Sequence, residues 1–216
     1  MSANLALPEQ AIQKVILDDI RWVTYQRLMD ERGDHGKPRY AYDRGKLEIM
    51  VTSYAHERLK HNLATLVEVI AESLELDING AGSTTFLRED LAQGFEPDAS
   101  FYVRQAARIR GQKEIDLNTD PPPELVIEID ITHPSLNKFP IFAGVGIPEV
   151  WRYHEQALTI FKLEGEAYRA QDASETFPTL TSADVTRLIG ESYRMKRPEW
   201  MSRVRELVRA LKVQSR

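Results

Sequence analysis

Three carboxylates stand out by type and spacing: Asp98, Glu128 and Asp130. Side chains alternate across a strand. In residues 124–132 the odd positions are Leu125, Ile127, Ile129 and Ile131, and the even ones are Glu124, Val126, Glu128, Asp130 and Thr132. One face is apolar and must be buried. The other presents Glu128 and Asp130 side by side. A strand this apolar belongs near the centre of a sheet. Residues 98–103 have the same polarity, with Ala99, Phe101 and Val103 on one side and Asp98, Ser100 and Tyr102 on the other. If the two strands are neighbours, the three acids converge on one face. Such carboxylates repel one another unless a cation or solvent relieves them. Three oxygen ligands suit Mg2+ or Mn2+, which keep some waters and bind phosphate. The ion would polarise a scissile phosphate and lower the pKa of an attacking water. The competing reading is a solvated sheet face whose acids pair with Lys or Arg, and alternation alone does not choose between the two.

Lys138 bears on that choice. It follows the strand closely, where the chain turns back. Asn137 is a candidate N-cap, which puts Lys138 at the first helical position and Pro140 at the third, where proline is tolerated. A lysine there reaches back toward the acids, to orient a water or offset charge in a phosphoryl transition state. Standing alone, it would be read as a surface lysine. His56 continues the apolar stripe of a long helix, so it points at the sheet, either as a satisfied core histidine or as an accessory to the acidic face. Glu57 lies about 100° further round that helix and is expected to be exposed. Arg104, Arg108, Arg110 and Lys113 lie on the connection after the Asp98 strand, as phosphate contacts or as a solvated loop.

These residues need elements to hold them. Residues 1–14 read as an extended lead. Asp18 or Asp19 is a candidate cap for a helix through Trp22, Tyr25 and Leu28 to Gly33. Residues 39–51 read as a hairpin that turns at Asp43-Arg-Gly45. Residues 53–75 give the clearest helix, with Leu59, Leu63, Leu66 and Ile70 in one stripe and Ser53 as N-cap. Residues 76–88 look extended, and a turn at 91–94 leads to the Asp98 strand. Residues 104–123 form a long polar connection, of the kind that is often functional. A short helix near 138–146 follows the Glu128 strand. Then come strands at 150–153, 158–163 and 167–170, and a helix at 198–213. Helix, strands, helix, strands and helix describe a mixed α/β or α+β domain with one central sheet.

The chain has 216 residues, 42% of them hydrophobic and 28% charged. That length fits one domain with appended ends. It divides as a helical extension over 1–38, a core over 39–190 and a basic amphipathic helix over 191–216. With no cysteine, disulfides and thiolate metal sites are excluded. The net charge is −5. Residues 193–216 hold eight Lys/Arg and two acids, a balance of +6, so the other 192 residues carry −11. A basic tail on an acidic body could hold a polyanion, or could simply be the solvated face of a helix. No stretch approaches a membrane span, and the first residues lack the pattern of a signal peptide. A cytoplasmic protein is therefore expected.

Several of these segments together resemble a known family. Pro97-Asp98, Glu124-Leu-Val-Ile-Glu128-Ile, Pro134-Ser135, Lys138 and Gly146-Ile-Pro-Glu-Val-Trp151 resemble the Uma2 family of candidate restriction endonucleases, within the PD-(D/E)XK nuclease superfamily. Gly45-Lys-Leu-Glu-Ile-Met, His56 and Ile160-Phe-Lys-Leu with Tyr168 fit as well. The resemblance runs from about Tyr40 to Gly190, and its specific part is Glu124 to Trp151. It implies a restriction-endonuclease-like central mixed sheet flanked by helices. It implies that Asp98 and Glu128 bind the metal and that Lys138 is the catalytic lysine. One departure matters: Asp130 stands where the superfamily signature has its lysine, so Lys138 must supply that function. His133 and Phe142 stand where relatives often show Ser and Tyr. The function implied is Mg2+- or Mn2+-dependent endonucleolytic hydrolysis of DNA. The alternative is a catalytically silent nuclease-fold module that binds nucleic acid or another partner. A metal-free glycosidase with paired carboxylates leaves Lys138 unexplained. Many nucleases of this fold pair as dimers, and a homodimer through an exposed Trp200 is a further expectation.

Overall fold

The computed structural model describes residues 13–33, 35–130 and 136–214. Thr132, His133, Pro134, Ser135, Arg216 and most of the lead lie outside the described residues. The strands are β1 (Gln13–Leu17), β2 (Arg39–Asp43), β3 (Lys46–Val51), β4 (Asn79–Gly80), β5 (Phe86–Arg88), β6 (Gln93–Phe95), β7 (Ala99–Tyr102), β8 (Leu125–Asp130), β9 (Glu149–His154), β10 (Ala157–Glu164) and β11 (Ala167–Gln171). The helices are α1 (Trp22–Arg32), α2 (Tyr54–Leu74), α3 (Ala106–Ile109), α4 (Phe139–Val145), α5 (Ser182–Ser192) and α6 (Arg197–Gln214).

The described strands form two sheets rather than one. Five lie in the order β1-β3-β2-β6-β5 and six in the order β11-β10-β9-β8-β7-β4. The first sheet is antiparallel throughout. The second is mixed, because β8 and β9 run parallel while its other pairs are antiparallel. A parallel pair needs a crossover, and α4 lies on it. That crossover brings the chain from the end of β8 past Lys138 and back to β9.

The alternation read in β8 has its physical basis here. Leu125, Ile127 and Ile129 join Ala99, Phe101 and Trp151 in a core beneath α2, α5 and α6. Val126, on the other face, packs with Val150, Phe142 and Phe95 between the two sheets. The layers therefore run from helices to the mixed sheet, then to the antiparallel sheet. Tyr25 of α1 packs against Tyr40, Tyr42 and Leu47 on the far side of the antiparallel sheet. No described helix is long and apolar enough to cross a membrane.

Local signals explain most of the boundaries. Ser53 caps α2, accepting from His56 N. The β2–β3 hairpin turns at Arg44 and Gly45, both at positive φ (44° and 103°), as a two-residue turn requires. Gly146 closes α4 at φ 82°, with its N–H on the carbonyls of Phe142 and Ala143. Two expected caps differ. Arg21, with no side-chain bond, stands at the N-cap of α1, and Asp19 sits apart in the left-handed region. At α4 the N-cap is Lys138 itself, and Asn137 Oδ1 accepts from Phe139 N at 3.2 Å. The helix thus begins one residue later than expected, and Lys138 still faces back along β8.

Trp200 is a correction. It is 1% exposed, and its indole N–H donates to Leu188 O at 2.7 Å. With Val204 and Val208 it fills the core between α2 and α5. The expectation that Trp200 offers a dimer contact loses its basis, because α5, the partner it packs on, was not anticipated. Trp200→Ala is expected to cost about 3–5 kcal/mol and to lower Tm by roughly 10 °C. A calorimetric scan with Tm unchanged would contradict this packing.

Candidate active site

The site forms where β7 and β8 pair. Ala99 opposes Ile127, and continuing that register places Asp98 opposite Glu128. Asp98 is 1% exposed. Its Oδ2 accepts from Ile129 N at 2.7 Å, and its Oδ1 accepts from the Arg39 guanidinium. His56 Nε2 lies 3.2 Å from the same Oδ1. The start of α2 thus sets a fully buried histidine beside the acid. Burial alone would raise the Asp98 carboxyl. The neighbouring His56 and Arg39 outweigh it and hold the group well below the usual carboxylate range.

Glu128 behaves in the opposite way. Burial pushes its carboxyl up to about 7, Lys138 opposes the shift, and Asp98 and Glu48 add to it. Lys138 Nζ donates to Glu128 Oε2 at 2.8 Å and lies 3.8 Å from Glu48 Oε1. Burial would lower the lysine, but Glu128, Glu48 and Asp98 hold it above its ordinary value. Two acids whose environments push their pKa values apart are a frequent mark of a functional site.

Glu128 Oε1 is buried and has no hydrogen-bond partner among the described residues. Such an oxygen is costly to leave unsatisfied. A cation is one partner that would satisfy it. The donors are all carboxylate oxygens, which suits Mg2+ or Mn2+. Each Asp98 oxygen carries two lone pairs, so its present bonds leave acceptor capacity. Among the described residues no three His, Asp or Glu side chains are grouped to hold an ion. Mg2+ asks for less: one or two carboxylates, with water and phosphate oxygens filling the rest.

A cleft of about 320 Å³ opens over Glu128, Asp130 and Lys138, with Lys14 and Arg152 on its walls. Asp98, 1% exposed, does not line it. Asp130 shares the Glu128 face but turns to cations, with Arg152 Nη2 at 2.6 Å and Lys14 Nζ at 3.5 Å.

The Uma2 family model, described as "Putative restriction endonuclease", matches residues 22–189. The chain belongs to the Uma2 family. Among solved structures it is similar to "a putative nuclease belonging to DUF820" from Anabaena variabilis ATCC 29413. The identity is 14% and the TM-score 0.50, over 79% of this chain and 99% of that one. This likeness shows the fold. No curated protein matches.

Within this Uma2 chain, Asp98, Glu128, Lys138 and His56 come together. Arg104, Arg108, Arg110 and Lys113 do not join them. β7 runs away from Asp98, and its four residues carry the chain roughly 13 Å. The loop is then tied at the far end, where Glu124 accepts from Val103 N and Gln105 N at 2.9 Å each. All four cations are exposed. Arg108 is spent on Thr119 O, and Arg110 on Asp77.

Sequence reasoning missed Glu48 and Arg39. Glu48, on β3, is 1% exposed and accepts from Leu136 N at 2.8 Å. It thereby ties the segment before Lys138 to the antiparallel sheet. The available signal was an acid inside an apolar hairpin strand. Glu57 also differs from expectation. It is half-buried and bridges Thr52 Oγ1 at 2.6 Å and Arg39 at 3.1 Å.

Proposed function

We propose that this protein is a nuclease that hydrolyses DNA phosphodiester bonds with Mg2+ or Mn2+. The observation that carries the reading is Lys138 bonded to Glu128 beside Asp98. Asp98 and Glu128 would hold the ion. When bound, the ion supplies Lewis acidity at a phosphoryl oxygen and a water of lowered pKa. The protein's own groups do the rest. Ile129 N, Arg39 and His56 keep Asp98 ionised and fixed. Lys138 places positive charge where negative charge develops on the phosphate. Glu48 anchors the turn that presents it.

A second reading rests on the Arg39–Asp98 pair. If that pair is permanent, the fold is a silent binding module. The test is cleavage of supercoiled plasmid and of single-stranded DNA in Mg2+, in Mn2+ and in EDTA. Nicking in metal but not in EDTA is expected. No cleavage in any buffer, with no heat of Mn2+ binding, would establish the silent module.

A further inference from the structure

Asp130 occupies the place of the signature lysine, yet two cations are gathered on it. We propose that Lys14 and Arg152 form a clamp for a DNA backbone phosphate, and that Asp130 is the positioning residue that presets it. The inference rests on the nuclease reading of the same cleft.

Arg152 is the cross-strand partner of Glu128 on the parallel neighbour β9. It therefore stands one strand spacing, about 5 Å, from the candidate metal carboxylate. Its hydrogen bond among the described residues is to Asp130. A guanidinium has five donors, so capacity for phosphate oxygens remains. The Arg152 side chain is 35% exposed, and its guanidinium carbon lies 6.0 Å from the Phe139 ring centre. Lys14 comes from the other sheet, on β1, and its side chain is 7% exposed. The two cations thus approach one carboxylate from two sheets. A solvated surface bridge has no need of such an arrangement, since an exposed pair contributes little. One carboxylate between two cations leaves a surplus positive charge. With Lys138, the cleft walls carry three cations against Glu128 and Asp130. The volume is near the lower end for ligand clefts, enough for a phosphate group of a strand lying across it.

The test is binding of a short, fluorescently labelled DNA duplex in EDTA, with a salt titration. Lys14→Gln and Arg152→Gln keep much of the packed stem and remove one cation each. Each is expected to weaken binding on the order of tenfold and to reduce the salt slope by about 0.9. Arg152→Lys should keep the slope, which controls for the fold. Asp130→Asn removes a negative charge, so bulk electrostatics would tighten binding. The clamp predicts the reverse, weaker DNA binding with Mn2+ affinity unchanged. Loss of Mn2+ binding in Asp130→Asn would make it a metal ligand and overturn the clamp. Wild-type affinity and slope in both glutamine variants would also overturn it, leaving the nuclease reading intact. Failure of the unmodified protein to bind DNA would overturn both.

Discussion

Asp98→Ala is expected to abolish metal-dependent DNA cleavage and to cost about 3 kcal/mol of stability. The two losses have separate causes. Activity falls because one of two candidate metal carboxylates is gone. Stability falls because Arg39, itself 5% exposed, loses a buried partner and among the described residues keeps half-buried Glu57. Leaving a buried charge unpaired is costly even where the pair itself contributed little. Asp98→Asn narrows the causes: its amide oxygen accepts from Ile129 N, but its NH2 group then faces the Arg39 guanidinium, so cleavage is lost and part of the stability loss from the unpaired arginine remains. Chemical denaturation and plasmid nicking, run on both variants, check this. Cleavage equal to wild type in either would mean a contaminant or a different site.

Lys138→Met is expected to slow cleavage by about 10²–10³-fold, the usual effect of removing one preorganised charge from a reacting centre. The fold should survive. Burial already holds Glu128 near neutrality, so without its lysine the carboxyl takes up a proton rather than standing as a bare buried charge. Lys138→Arg should not rescue the rate, because a planar fork does not replace a compact ammonium in a packed site. Single-turnover rates at saturating Mn2+ decide the matter. A Lys138→Met rate within about twofold of wild type would remove the lysine from the chemistry.

How much of this could be read from the sequence depends on the range of each interaction. β8 was legible because alternation is local: Ile127 and Ile129 face the helices, and Glu128 faces away. α2 was legible from its leucine stripe and Ser53, and the hairpin from Arg44-Gly45. Lys138 was legible because a short crossover must return it to the end of β8. The separate antiparallel sheet was not. Its strands β5 and β6 have three residues each, too few for a pattern, and β6 joins the hairpin strand β2 from a distant part of the chain. Glu48 and Arg39 reach the site only through that sheet. The basic loop after β7 misled for the same reason. Arg104 is six residues from Asp98 in the sequence, but an extended strand spends them moving away. Trp200 was misjudged because α5 went unread, although Thr181 and Asp184 form a capping box at its start.

The proposed nuclease requires Glu128, held near neutrality beside Lys138, to bind the metal. Calorimetric titration of Mn2+ into wild type and Glu128→Gln, at pH 6 and pH 8, tests it most directly. A carboxyl near 7 must lose its proton to bind the ion. Wild-type affinity should therefore be about tenfold weaker at pH 6 than at pH 8, with protons released on binding. Glu128→Gln should bind weakly at both values and show no such dependence. Equal Mn2+ binding by the two proteins, or none by wild type, would contradict the account.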